Sequence, residues 1–203
     1  GVPGTKVALF YPAGGVSEVQ RLQMATHTAE NAAVFAIEGN FDDTQSGVKR
    51  IFTNPEMQKL AEARGYFLSS ANSINMGRLL PQIVYYFYAY FQMLRDKALT
   101  QGESFDVVVP TGNFGDILAG WYAYRMGLPI ADFICASNSN NVLTDFFNTG
   151  VYDRNRPFKK TLSPSMDILI SSNLERLVFE MVDRSAETCA SLMAALSGKG
   201  EYK

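Results

Sequence analysis

Phe105-Asp106-Val107-Val108-Val109-Pro110-Thr111-Gly112-Asn113-Phe114-Gly115-Asp116 reads as a buried strand that ends at Pro110 and runs into a glycine loop. The apolar spacing of Ile117, Leu118, Trp121 and Tyr122 then predicts a helix. Strand, glycine loop and helix N-terminus together make a cradle for an anion. Glycines let the backbone approach a phosphate closely, and free N–H groups at the positive helix end face it.

The spacing is Gly-x-x-Gly rather than Gly-x-Gly-x-x-Gly, and no lysine follows as in a P-loop. Glycines at strand-to-helix turns also serve merely to reverse the chain. Taken alone, the loop fits the phosphate of a nucleotide, a sugar or pyridoxal phosphate.

Composition narrows the field. The chain has 203 residues, 47% of them hydrophobic and 19% charged, enough for one large or two small globular domains. The net charge is −2, from 18 basic and 20 acidic residues, and the basic residues are scattered apart from the pairs Lys49-Arg50 and Lys159-Lys160. No stripe for nucleic acid or for an anionic membrane is present. Leu79–Leu94 is apolar but shorter than a bilayer crossing and carries Gln82 and Gln92, so it reads as a buried helix. Cys135 and Cys189 are the only cysteines and His27 the only histidine, too few for a zinc site; any Ser-His-Asp set would have to use His27, which sits in a helix-like segment and reads as structural or exposed. Two free thiols and a start, Gly1-Val2-Pro3-Gly4, without an apolar run predict a cytoplasmic protein.

Along the chain, Lys6–Tyr11 reads as a strand closed by Pro12-Ala13-Gly14-Gly15, and Ser17 as the cap of a helix through Leu22 and Met24. Ala33–Ile37 is a second strand. A helix with Val48, Ile51 and Phe52 on its apolar face, a short helix from Met57 to Ala63 and a third strand, Tyr66-Phe67-Leu68, follow. This β-α-β-α-β order predicts parallel pairing with right-handed crossovers. Asn72–Leu99 reads as one long helix, apolar nearly all round, with Pro81 tolerated in its first turns. After the Gly112 loop and its helix, Ile130–Ala136 is a strand, residues 148–164 are loop, and Asn173 caps a final helix that Ala186–Leu196 continues or follows. The predicted class is α/β, three-layer α/β/α with parallel sheets.

Ligands of open α/β sheets bind beyond the carboxyl ends of strands. There the chain places Ser69, Ser70, Asn72, Ser73, Asn75 and Arg78; then Thr111, Gly112, Asn113 and Gly115; then Ser137, Asn138, Asn140 and Asn141. Hydroxyls, amides and one guanidinium suit a phosphate-bearing ligand, and the lack of paired carboxylates argues against hydrolytic acid–base chemistry. Asn72 and Ser73 equally suit helix capping, and Ser137–Asn141 an ordinary polar loop.

Five motifs occur in one order: Tyr11-Pro12-Ala13-Gly14-Gly15-Val16-Ser17, Gly39-Asn40-Phe41-Asp42-Asp43, Ser70-Ala71-Asn72-Ser73-Ile74-Asn75-Met76-Gly77-Arg78, Pro110–Asp116 and Ser165-Met166-Asp167-Ile168. With them the chain resembles threonine synthases, pyridoxal-phosphate enzymes of the tryptophan-synthase-β-like fold (fold type II), over essentially its whole length. The resemblance implies a carbon–oxygen lyase that converts O-phospho-L-homoserine and water to L-threonine and phosphate, with pyridoxal 5′-phosphate as cofactor. By motif, Gly112, Asn113, Phe114 and Gly115 would cradle the cofactor phosphate, and Asn72, Ser73 and Arg78 the substrate phosphate.

The chain departs from the family pattern in three features that this sequence lacks, one of them the C-terminal segment that contacts the pyridine nitrogen in the family. The Schiff-base lysine and a Ser-Gly-Asp-Thr-Gly-type loop precede, in the family, the segment resembling residues 6–11, and neither is in this sequence. The lysines are 6, 49, 59, 97, 159, 160, 199 and 203, none in a matching motif. The resemblance therefore implies a central segment without a catalytic residue of its own: a small α/β domain at 1–70 and part of the cofactor-binding domain at 71–203. The expectation is that this chain alone does not make threonine. Two alternatives stand beside it: a non-catalytic phosphate- or nucleotide-binding module, and a segment of another pyridoxal-phosphate lyase such as threonine dehydratase or cysteine synthase. Phe114 and the Asn-Ser-Ile-Asn…Arg stretch favour threonine synthase over the last.

Overall fold

The computed structural model describes residues 2–39, 41–71 and 75–203. The chain divides into two compact units, Gly1–Ser69 and Ser70–Lys203.

In the first unit, β1 (Val7–Pro12) and β2 (Ala32–Ile37) form a parallel pair, in register from Val7 opposite Ala32 to Pro12 opposite Ile37. Helix α1 (Glu18–Ala25) connects them. Its start is a capping box, with the Ser17 hydroxyl accepting the Gln20 N–H and the Gln20 carboxamide accepting the Ser17 N–H. Helices α2 (Phe41–Thr53) and α3 (Pro55–Glu62) follow, and Asn54 caps α3 by accepting the N–H groups of Glu56 and Met57. Phe10 stacks on Phe35 across the strand pair, with centroids 5.2 Å apart.

The third strand expected at Tyr66–Leu68 is not formed. Gly65 takes a left-handed φ of 74°, its N–H bonds to the Glu62 carbonyl and the Tyr66 N–H to that of Ala61. These are the two bonds of a Schellman motif closing α3, and they use the first donor a strand would need. Phe67 is left 85% exposed.

The second unit opens with α4 (Met76–Leu79), a 3₁₀ turn (Leu80–Gln82) and α5 (Ile83–Arg95). The single helix expected from Asn72 to Leu99 is interrupted because Pro81 has no N–H to donate and its ring crowds the preceding turn. Nor is α5 covered all round: Tyr86 and Tyr90 are buried, whereas Val84, Tyr85, Tyr88 and Phe91 are exposed.

Strand β3 (Phe105–Pro110), helix α6 (Gly115–Arg125) and strand β4 (Ile130–Ala136) form a parallel β-α-β unit. The pairing shifts register between Phe105 and Val107, then runs from Val107 opposite Phe133 to Pro110 opposite Ala136. The strand expected to be buried throughout is one-sided, with Val109 in the core and Val108 63% exposed. Helix α7 (Val142–Thr149), β5 (Tyr152–Asp153), a 3₁₀ turn (Pro164–Met166), α8 (Leu174–Met181), α9 (Ala186–Lys199) and β6 (Glu201–Tyr202) complete the unit. Segment 148–164 is thus not all loop, since Tyr152 pairs antiparallel with Tyr202 and their rings stack at 5.4 Å. Asp183 and Arg184, both at positive φ, separate α8 from α9.

The core of this unit is centred on α6. Leu79, Leu118, Val142, Leu143, Tyr152 and Leu174 are fully buried in it. No helix among the described residues is long and apolar enough to cross a membrane.

Candidate functional site

The Gly112 loop is built from its two ends inward. The Thr111 N–H donates to the Ala136 carbonyl (2.7 Å), and its buried hydroxyl donates back to the Val109 carbonyl (2.7 Å). At the other end Phe114 occupies the N-cap position of α6 with φ 61° and ψ 12°, a left-handed conformation uncommon for a bulky residue. Its phenyl ring is 4% exposed, so packing holds the strained backbone in place.

Among the described residues, none receives the backbone N–H of Gly112, Asn113, Phe114, Gly115, Asp116 or Ile117; the first bond of the helix is Leu118 N–H to the Phe114 carbonyl (3.2 Å). Unpaired N–H groups are expected in a first helical turn, and they concentrate positive potential there. Six in succession form a donor surface that an anion satisfies better than water.

The loop's carbonyls are engaged. The Ser171 hydroxyl donates to the Gly112 carbonyl at 2.7 Å. Asn173 donates to the Asn113 carbonyl from its backbone N–H (3.1 Å) and from its side-chain amide (2.9 Å). The Tyr152 hydroxyl accepts the Ser171 N–H (2.8 Å) and donates to the Leu169 carbonyl (3.0 Å). The sequence predicts Asn173 as the cap of the final helix. It does stand at the N-cap of α8, but its side chain makes no capping bond; it serves the loop and accepts from Arg176.

A cleft of about 270 Å³ opens over the loop. Residues 110–117 line it together with Arg78 and Gln82, and Ser165 and Met166 complete its wall. The structure thus brings Arg78 together with Gly112, Asn113, Phe114 and Gly115, while Asn72 and Ser73 lie outside the described residues. The Arg78 guanidinium donates to the Ala71 carbonyl (2.6 Å), and the Arg78 carbonyl accepts from Gln82 (2.9 Å). A β-carbon on Gly112 would stand 3.3 Å from the Ser165 carbonyl oxygen and 3.4 Å from Met166 Cα, so this glycine lets the 3₁₀ turn close on the loop.

A buried carboxylate holds that wall. Asp167 Oδ1 accepts from Asn138 (2.7 Å), Asn140 (3.1 Å) and the Thr161 hydroxyl (2.7 Å), and Oδ2 accepts the Thr161 N–H (2.8 Å). Asn140 also exchanges hydrogen bonds with both backbone groups of Lys159. Asn138 and Asn140, which the sequence placed at a strand end, thus fasten the wall segment.

Asp116 adds a negative charge at the edge of the donor surface. The Tyr86 hydroxyl donates to its carbonyl (2.9 Å) and its carboxylate (3.2 Å). Partial desolvation pushes the Asp116 carboxyl above the usual range, and the hydrogen bond from Tyr86 opposes the shift. Burial pushes the Tyr86 phenol upward, with the Asp116 charge adding to it. The Cys135 thiol is also raised by burial, against a hydrogen bond with Thr111. No lysine lines the cleft among the described residues.

No protein-family model matches the chain. It is 45% identical over 199 residues to human threonine synthase-like 1, covering 97% of this chain and 27% of that protein. It is 43% identical over 195 residues to threonine synthase from Pseudomonas aeruginosa, covering 96% of this chain and 39% of that one. A crystal structure of pyridoxal-phosphate-bound threonine synthase from Brucella melitensis superposes with a TM-score of 0.78 at 37% identity, over 98% of this chain and 46% of that chain. The chain spans between about a quarter and two-fifths of the curated relatives named here. It is a homologue of the threonine synthases along nearly its whole length, and it shares their α/β fold over the part that it spans.

Proposed function

We propose that this chain supplies a phosphate-handling segment of a threonine synthase, a cytoplasmic pyridoxal-phosphate lyase that converts O-phospho-L-homoserine and water to L-threonine and phosphate. The observation that carries the proposal is the run of six backbone N–H groups, Gly112 to Ile117, without an acceptor among the described residues. Gly112, Asn113, Phe114 and Gly115 hold the cofactor phosphate through these groups. Gly112 lets the 3₁₀ turn at Ser165 and Met166 close on the loop, and the dipole of α6 favours a dianion at its start. Arg78, which lines the same cleft, offers a guanidinium fork for the substrate phosphate, and by motif Asn72 and Ser73 are further donors. Pyridoxal phosphate, when bound, supplies the electron sink that the carbon skeleton of the substrate requires.

The fit is to the phosphate and not to a covalent bond with the cofactor. No lysine amine reaches the cleft among the described residues, so the isolated chain is expected to bind the cofactor reversibly and to release no phosphate from O-phospho-L-homoserine. The loop's donors alone also fit a second reading, a phosphate- or nucleotide-binding module without catalysis.

Equilibrium binding of pyridoxal 5′-phosphate against pyridoxal, followed by fluorescence, tests the proposal. Preference for the phosphorylated form is the expected result, and Arg78→Ala should keep that preference while weakening the binding of O-phospho-L-homoserine. Equal affinity for both forms would sink the proposal. Preference for nucleotides over pyridoxal phosphate would favour the second reading.

A further inference from the structure

We infer that Ser171 and Asn173 are positioning residues of the phosphate loop, aiming two of its N–H groups into the cleft; the inference rests on the function proposed above. A trans peptide is a rigid plane in which the carbonyl of one residue and the N–H of the next point in opposite directions. The structure contains no cis peptide among the described residues. Whatever anchors the Gly112 carbonyl therefore sets the direction of the Asn113 N–H, and whatever anchors the Asn113 carbonyl sets that of the Phe114 N–H. The first anchor is the Ser171 hydroxyl at 2.7 Å. The second is Asn173, through two donors at 3.1 and 2.9 Å.

The anchors are themselves fixed. Ser171 is 6% exposed and its N–H is held by the Tyr152 hydroxyl; Asn173 is wholly buried, and its side-chain oxygen accepts from Arg176. Three donors thus pull two carbonyls to the side away from the cleft. The N–H groups of Asn113 and Phe114 are left on the cleft side, and neither has an acceptor among the described residues. A loop without these anchors could rotate either peptide and present a carbonyl oxygen to the phosphate, replacing attraction with repulsion. Neither side chain lines the cleft, so their effect is exerted wholly through the backbone.

The test uses the full chain and two probes, pyridoxal 5′-phosphate and pyridoxal, which differ only in the phosphate. Ser171→Ala and Asn173→Asp are expected to weaken binding of the phosphorylated probe about tenfold, the worth of a charge-assisted hydrogen bond. Their affinity for pyridoxal should be unchanged. The ³¹P resonance of the bound probe should move toward its free position. Ser171→Thr, which keeps the hydroxyl, should restore both readouts. A residue that merely held α8 in place would weaken both probes alike. If Asn173→Asp fails to fold, the Ser171→Ala and Ser171→Thr pair decides the matter. Full preference for the phosphorylated probe in Ser171→Ala would overturn the positioning role and leave the phosphate site standing. Equal affinity of the unsubstituted chain for the two probes would overturn the site itself and the inference with it.

Discussion

The ring of Tyr86 occupies the space into which a β-carbon on Gly120 would project: Cε1 and Cζ would lie 2.7 Å from it, and Phe133 Cε1 3.0 Å. The hydroxyl of the same tyrosine donates to the Asp116 carbonyl, one turn earlier on α6. One side chain thus sets both the spacing of α5 from α6 and the position of the first turn behind the phosphate loop. Alanine at 120 would gain up to about 1 kcal/mol in helix propensity, but overpacking a rigid ring costs about 1–3 kcal/mol. The clash should win, and Gly120→Ala should lower the urea midpoint. Gly198 is the control, since it is also helical but has nothing within 4 Å of the place a β-carbon would take. Gly198→Ala should raise the midpoint slightly or leave it unchanged.

Phe114 sets a second pair of magnitudes against each other. Its left-handed backbone costs about 1–2 kcal/mol, which glycine would relieve. Its phenyl ring is buried against Phe147, centroids 5.9 Å apart, and removing a buried phenyl costs about 3–5 kcal/mol. Phe114→Gly should therefore be net destabilising, by about 1–4 kcal/mol, in chemical denaturation. A stabilised variant would mean that packing contributes little at this position.

How much of this is legible in the sequence depends on the range of the interactions. The β3–loop–α6 unit is visible because proline, glycine and apolar spacing act locally, and Arg78 stands out by its motif. Tyr66–Leu68 misleads because β-propensity competes with the Schellman closure at Gly65, which uses the Tyr66 N–H. The outer face of α5 and one face of β3 carry apolar residues that read as buried yet are exposed in the structure. The loop-anchoring roles of Ser171 and Asn173 escape the sequence because their bonds to the loop span 59 and 60 residues. The Ser-Ser-Asn run before α8 is a local signal that reads as helix capping, although the Asn173 side chain makes no capping bond. Asp167 stands within a recognised motif, but nothing nearby in sequence shows that it gathers Asn138, Asn140 and Thr161.

Asp116 predicts a pH dependence with a definite sign. Partial desolvation raises its carboxyl, so the folded chain holds this proton more tightly than the unfolded chain. The resulting stability is present below the unfolded value and is lost as pH rises through the raised folded one. Asp116→Asn, which cannot ionise, should lack this component. The stability of the variant relative to the parent should increase as pH rises from about 4 toward neutrality and then level off. Parallel stability curves for the two chains over that range would show that Asp116 does not titrate differently on folding.

Asp167 anchors the wall of the cleft, and its two oxygens take four donors while the residue is 4% exposed. Asn at this position keeps the shape but supplies one oxygen, and it turns an N–H₂ group toward hydrogen-bond donors. At least one buried donor is then unpaired, at about 1–3 kcal/mol each. The loss falls on the segment from Lys159 to Met166, which meets the phosphate loop where the 3₁₀ turn packs against Gly112. Asp167→Asn should therefore open this segment before the rest of the unit. Limited trypsin digestion should cut after Lys159 or Lys160 several-fold faster than in the parent chain, with the other sites changed much less. Uniform acceleration at every site would point instead to global unfolding and remove the case for a locally fastened wall.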